Sequence, residues 1–212
     1  PHQWVLRYAA KLRPGRLGRR LICDSQLYGI LIHRLVEDLF NQPPPAGLDW
    51  RQATNAAIRD WVARRWPTLL REEGAMLLLP GQRSTAARVQ TEAIRALTDL
   101  IAQLRTWDVI EAQADVTPTS LAFSDGELTG HIDLVVRNSA NRKAVVDLKY
   151  GGRDNKIAQV ANGIPLQLAV YSRLLAAGKG SVAGAFYILT AQRLITRHPD
   201  FFKDSALTKS DG

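Results

Sequence analysis

Two short apolar stretches each carry a carboxylate, and the second also carries an amine. Asp133 lies in Gly130-His131-Ile132-Asp133-Leu134-Val135-Val136, and Asp147 with Lys149 lies in Ala144-Val145-Val146-Asp147-Leu148-Lys149-Tyr150-Gly151. Residues i and i+2 of a strand share a face, so Asp147 and Lys149 point one way and Val146 and Leu148 the other. A charge inside an apolar strand is costly unless it is paired or bound to a cation. Two aspartates on adjacent strands, joined by the turn-like Asn138-Ser139-Ala140-Asn141, repel each other at close range, and a hard divalent cation removes that repulsion. Mg2+ takes one or two protein carboxylates, keeps several waters and engages substrate phosphates, so the pair suits phosphodiester chemistry. The plainer alternative makes them edge-strand aspartates with Lys149 as their salt-bridge partner.

The order of further residues weighs against the plainer alternative. His33 lies in Gly29-Ile30-Leu31-Ile32-His33, and Gln167 and Tyr171 lie in Pro165-Leu166-Gln167-Leu168-Ala169-Val170-Tyr171. A helical G-x-x-x-H, a strand G-x-x-D, a strand D-x-K and a helical Q-x-x-x-Y in this order resemble the RecB-like branch of the PD-(D/E)xK nuclease superfamily, over Gly29 to Tyr171. The resemblance implies that His33, Asp133 and Asp147 are side-chain metal ligands and the Leu148 carbonyl a backbone ligand. It implies Lys149 as the catalytic lysine and Gln167 with Tyr171 as a supporting pair. Mg2+ or Mn2+ is the implied cofactor and DNA the implied partner, with an exonuclease-type role in recombination, repair or defence. Many relatives have Thr-Gly after the lysine where this chain has Tyr150-Gly151. Some hold an iron-sulfur cluster on four cysteines; with Cys23 as its only cysteine, this chain is expected to hold none.

The elements that must position these groups are legible as patterns. From Ser25, a plausible cap, to Phe40, the residues Leu27, Leu31, Leu35 and Leu39 recur at helical spacing, with His33 and Glu37 on one flank. Glu37 could approach the same cation, though an ordinary surface carboxylate is the simpler reading. Helical stretches follow from about Trp50 to Trp66 and Ser84 to Arg105, with Ala75–Leu79 ambiguous between them. Strand signals run over 109–116 and 120–123, turn at Asp125-Gly126, and resume from Glu127 into the Asp133 strand. After the Asp147 strand comes a loop, Gly151 to Asn155, then a helix from about Pro165 to Ala177 with Gln167 and Tyr171 on one face. A last strand over 183–190 returns parallel to the Asp147 strand. The expected fold class is α/β: a restriction-endonuclease-like core with a central mixed β-sheet flanked by helices and an N-terminal helical insertion.

The chain has 212 residues, 46% of them apolar, and a formal charge of +8. The expected organisation is a basic N-terminal arm over 1–24, a nuclease domain over 25–203 with its helical insertion over 50–105, and a frayed tail over 204–212. Arg7, Lys11, Arg13, Arg16, Arg19 and Arg20 make the arm basic without an acid, which suits phosphate binding or a solvated linker end equally. Arg137, Arg142, Lys143, Arg153 and Lys156 are expected around the site, Arg153 and Lys156 as nucleic-acid contacts. No run reaches the roughly 18 apolar residues of a membrane span, so no membrane partner is expected and the location reads as cytoplasmic. Pro1 in first place suggests either a processed chain or a domain of a longer polypeptide, in the latter case with a helicase or other domain as its neighbour. Two other functions fit less well: a nucleic-acid-binding scaffold module that does no chemistry, and a hydrolase of small phosphate esters.

Overall fold

Leu27, Leu31, Leu35 and Leu39 do form one buried stripe, on helix α1 (Ser25–Asn41). The computed structural model describes residues 25–42, 47–123, 126–163, 165–177 and 182–203; the expected basic arm, Cys23, Asp125 and the tail lie outside the described residues. Helix α2 (Asn55–Glu72) starts later than Trp50 because Thr54 caps it, its hydroxyl accepting from the Ala57 N–H at 3.2 Å. Trp50 instead lies in the preceding turn, buried edge-on to Phe40. The ambiguous apolar run becomes a single 3-10 turn, Ala75–Leu78. Helix α3 (Arg83–Thr106) buries Val89, Ala93, Leu97, Leu100 and Leu104, a three-and-four spacing that makes one continuous apolar face.

The sheet is mixed. Strands β1 (Val109–Val116), β4 (Ile132–Asn138), β5 (Lys143–Lys149), β6 (Ala183–Ile188) and β7 (Arg193–Thr196) lie in the order β1-β4-β5-β6-β7. All neighbours are antiparallel except β5 and β6, which are parallel. Strands β2 (Leu121–Phe123) and β3 (Gly126–Leu128) pair only with each other. That ribbon corrects the expectation of one strand running from Glu127 into Asp133: the chain breaks between Leu128 and Ile132, where Gly130 lies.

Strand β5 is central and buried from Ala144 through Leu148, which is why its sequence is a nearly unbroken apolar run rather than an alternation. Helices α1, α2 and α3 pack with Leu134, Val136, Val146, Leu148 and Tyr187 on one face. Helices α4 (Arg153–Ala161) and α5 (Leu166–Leu175) cover the other, where Val160 and Leu168 meet Val145, Phe186 and Ile188. Helix α4 occupies part of what the sequence suggested was a loop, because Gly151-Gly152 ends only one residue before it. Strand β7 and the short helix α6 (Pro199–Phe202) were also not expected. They close the sheet edge, with Phe202 stacked edge-on against Trp107 at 4.9 Å.

One contact fixes α1 on the opposite sheet edge. The Asn41 amide donates to the Ala114 carbonyl at 2.9 Å and accepts from the Ala114 N–H at 3.0 Å. A single side chain thus takes the part of a neighbouring strand, which covers an otherwise open edge position. No helix among the described residues is long and apolar enough to cross a membrane.

Candidate active site

The register that pairs Leu134 with Val146 sets Asp133 opposite Asp147 at the next step, where facing Cβ atoms lie about 5 Å apart. Asp133 Oδ2 accepts the Leu148 N–H at 2.8 Å, fixing one carboxylate oxygen on the backbone of β5. Its other oxygen lies 3.8 Å from His33 Nδ1, so α1 delivers the imidazole to the start of β4. The Leu148 backbone therefore sits between the two: its amide binds Asp133, and its carbonyl supports the basicity of His33.

Asp147 is the unusual group. It is fully buried, and neither side-chain oxygen has a hydrogen-bond partner among the described residues. Lys149 Nζ lies 2.6 Å from Oδ2, an ion-pair distance without hydrogen-bond alignment. Burial, and then the facing Asp133 carboxylate, push Asp147 up to about 6, with Lys149 opposing. Burial raises Asp133 as well, against the pull of Lys149 and the Leu148 amide. His33 is lowered by burial and then by Lys149. Lys156, on α4, is lowered by burial and by Lys149 while Asp147 pulls it upward, so it too feels this centre.

Native proteins rarely leave a buried carboxylate without hydrogen bonds, and two facing carboxylates call for more positive charge than one ammonium supplies. The donors present, imidazole, two carboxylates and a backbone carbonyl, suit a hard divalent ion. Among the described residues no three His, Cys, Asp or Glu side chains are already drawn together around one point; the Lys149 ammonium supplies the positive charge beside Asp147. Asp133 and Asp147 face each other across one ladder, and His33 stands beside Asp133.

The supporting pair is in contact: Gln167 Nε2 donates to the Tyr171 hydroxyl at 3.1 Å. Tyr171 lies over the approach to β4. A Cβ at Gly130 would come within 2.9 Å of Tyr171 Cε1 and 3.4 Å of Leu174 Cδ1. The glycine of G-x-x-D is thus required by close packing, which the motif alone does not reveal. Replacing Gly130 by alanine should displace the Tyr171 ring and cost about 1–3 kcal/mol, read as a lowered Tm in thermal denaturation with no change in metal-free secondary structure.

Not every expected residue converges. Arg137 and Lys143 face each other at the hairpin end of β4 and β5, the opposite end from Asp133 and Asp147. Arg137 is paired with Glu111 at 2.7 Å, and Arg142 donates to the Asp200 carbonyl. Of the expected basic cluster Lys156 feels the Asp147–Lys149 pair, while Arg153, exposed at the start of α4, pairs with Asp154 at 3.3 Å. Glu37 pairs with Arg34 at 2.6 Å and lines the same cleft as His33, whose basicity it raises. Tyr150 carries a contact that the sequence did not signal: its hydroxyl donates to Glu92 of α3 at 2.7 Å, fixing the residue after Lys149.

The family model of the PD-(D/E)XK nuclease superfamily matches residues 1–211. The chain belongs to that superfamily. Its nucleases generally use divalent metals, in keeping with the donor set just described, and the five-stranded mixed sheet flanked by helices fits their restriction-endonuclease-like fold. Among solved structures the chain is similar to protein VC1899 from Vibrio cholerae, at 12% identity and a TM-score of 0.31. The similarity covers 87% of this chain and 50% of that one, so this chain spans half the length of that protein. No curated protein matches the chain.

Proposed function

We propose that this member of the PD-(D/E)XK superfamily is a divalent-metal-dependent deoxyribonuclease of the RecB-like branch. Its expected work is exonuclease-type trimming of DNA in recombination, repair or defence, alongside a helicase or other domain of a longer polypeptide. The observation that carries this reading is the fully buried Asp147, whose oxygens make no hydrogen bond among the described residues and have only the Lys149 ammonium beside them, facing a second carboxylate on Asp133. His33, Asp133, Asp147 and the Leu148 carbonyl would hold Mg2+ or Mn2+. When bound, such an ion polarises a phosphoryl oxygen and makes water more acidic.

The protein groups divide the remaining work. Lys149, on the same face as Asp147, orients the attacking water or stabilises the charge that grows on the phosphoryl oxygens. Arg153 and Lys156 take flanking phosphates, which position the strand without reading its sequence. Gln167 and Tyr171 hold the approach to β4 in place, so their loss reduces activity without ending it.

A cleavage assay on labelled linear, nicked, circular and single-stranded DNA, with Mn2+ titrated in, tests the reading. Metal-dependent loss of linear and single-stranded substrates from their ends, with circles left intact, is the expected result. Binding without cleavage at any metal concentration would make the chain a scaffold module instead.

A further inference from the structure

Helices α4 and α5 leave a cavity of about 460 Å3 over the start of β6. Gly184, which lines it, pairs with Val145, two residues before Asp147 on the same sheet face. The cavity therefore lies about 7 Å down the sheet from the level of the carboxylate pair, and none of the metal or catalytic candidates lines it. Its floor is apolar, made by Val160 of α4, Leu168 of α5 and Val182 before β6. Its rim is cationic: Arg173 and Arg197 line it, no acid does, and neither arginine has a carboxylate in ion-pair reach among the described residues. Arg197 donates to the Ala161 carbonyl, which anchors its guanidinium at the end of α4. Burial lowers His198 against the pull of Asp200, so this third basic residue is neutral at pH 7.

Ser172 points to a ligand. It lines the cavity, is only 5% exposed, and its hydroxyl makes no hydrogen bond among the described residues. The neighbouring Thr196 hydroxyl, by contrast, donates to the Gly184 carbonyl at 2.8 Å and accepts the His198 N–H at 3.0 Å. A buried hydroxyl left without a partner is destabilising, and an oxygen of a bound molecule would satisfy it. Gly184 keeps the space in front of Ser172 open, since a Cβ there would come within 3.3 Å of Ser172 Oγ. Two guanidiniums without an acid match a dianion better than a monoanion. A phosphate monoester carries close to two negative charges at pH 7, and the arginine fork engages its oxygens in pairs. Inorganic phosphate alone would leave the apolar floor uncovered, so the charge complementarity and the floor together call for a phosphate attached to an apolar-faced body. The volume is that of a small-ligand pocket.

We propose that this cavity is a second ligand site, for a phosphate monoester whose phosphate meets Arg173 and Arg197 and whose body lies on Val160, Leu168 and Val182, with the Ser172 hydroxyl donating to one of its oxygens. A nucleoside 5′-monophosphate and an alkyl phosphate share this chemistry. The site uses none of the residues of the nuclease reading and stands or falls without it.

The test is isothermal titration calorimetry of the full chain in EDTA at neutral pH, with thymidine 5′-monophosphate, hexyl phosphate, thymidine, hexanol and inorganic phosphate as probes. At least one of the two monoesters should bind about tenfold or more tightly than inorganic phosphate and than its own uncharged counterpart, and which of them does so identifies the source. Arg173→Met should lower that affinity about tenfold. Ala169→Trp, which fills the cavity from the exposed side of α5, should abolish it, with circular dichroism showing both variants folded. Inorganic phosphate binding as tightly as both monoesters, no monoester binding in the millimolar range, or an affinity that either variant leaves unmoved overturns the site.

Discussion

Asp147→Asn abolishes metal-dependent cleavage, by at least about a thousandfold, and makes the metal-free protein more stable. Both effects come from one buried carboxylate. Its ordinary value is 3.8, and in the folded chain it stands at about 6. Between those values the unfolded chain has released the proton and the folded chain has kept it. Stability from this group is therefore full below about 3.8 and is lost as the pH rises through 6. At pH 7 the deficit is roughly 3 kcal/mol. Asparagine cannot ionise, so the variant should unfold at a higher temperature at pH 7 and lose this pH dependence between 4 and 6. A divalent ion should raise the Tm of the wild type, since it binds only the folded state, and leave the variant nearly unmoved. Thermal melts at pH 4, 6 and 7 with and without Mn2+ check all three. A variant that cleaves DNA at the parental rate would remove Asp147 from the chemistry.

Lys149→Met lowers kcat by about 10²–10⁴ while leaving DNA affinity close to that of the parent, because other basic residues carry the phosphate contacts. The same change removes the cation beside two facing carboxylates and so lowers the stability of the metal-free protein at pH 7. If Lys149 were only the salt-bridge partner of Asp147, the variant's loss would be one of stability alone. The nuclease assignment instead expects Mn2+ to restore the Tm, as the ion takes over the charge of the missing ammonium, without restoring kcat. Single-turnover cleavage at saturating Mn2+, paired with melts of the same samples, separates the two. Recovery of both quantities with metal would reduce Lys149 to a structural role.

The parts of this site that could be read from the residues are those set by short periods. Strand alternation put Asp147 and Lys149 on the face opposite Val146 and Leu148, and the structure packs Val146 and Leu148 with the α1–α3 layer. Helical spacing likewise placed His33 on the flank of α1. Contacts between elements distant in the chain were not legible. Nothing local in Glu92 marks it as the partner of Tyr150, and nothing in Gly130 announces the Tyr171 ring beside it. Helix α4 was hidden because its polar residues outnumber its single buried one, Val160; it is held by the sheet rather than by its own pattern. The expected clustering of Arg137, Arg142 and Lys143 failed for a simple reason. Closeness in sequence across a hairpin is closeness to the turn, while the carboxylates sit at the other end of the same strands.

The most direct measurement is an anomalous difference map from crystals grown with Mn2+. A single shared site predicts a peak roughly 2.0–2.2 Å from a carboxylate oxygen of Asp133, one of Asp147, an imidazole nitrogen of His33 and the Leu148 carbonyl oxygen, with Lys149 moved off Asp147. A well-formed crystal at saturating Mn2+ with no peak between these groups, and Lys149 still seated on Asp147, would contradict it.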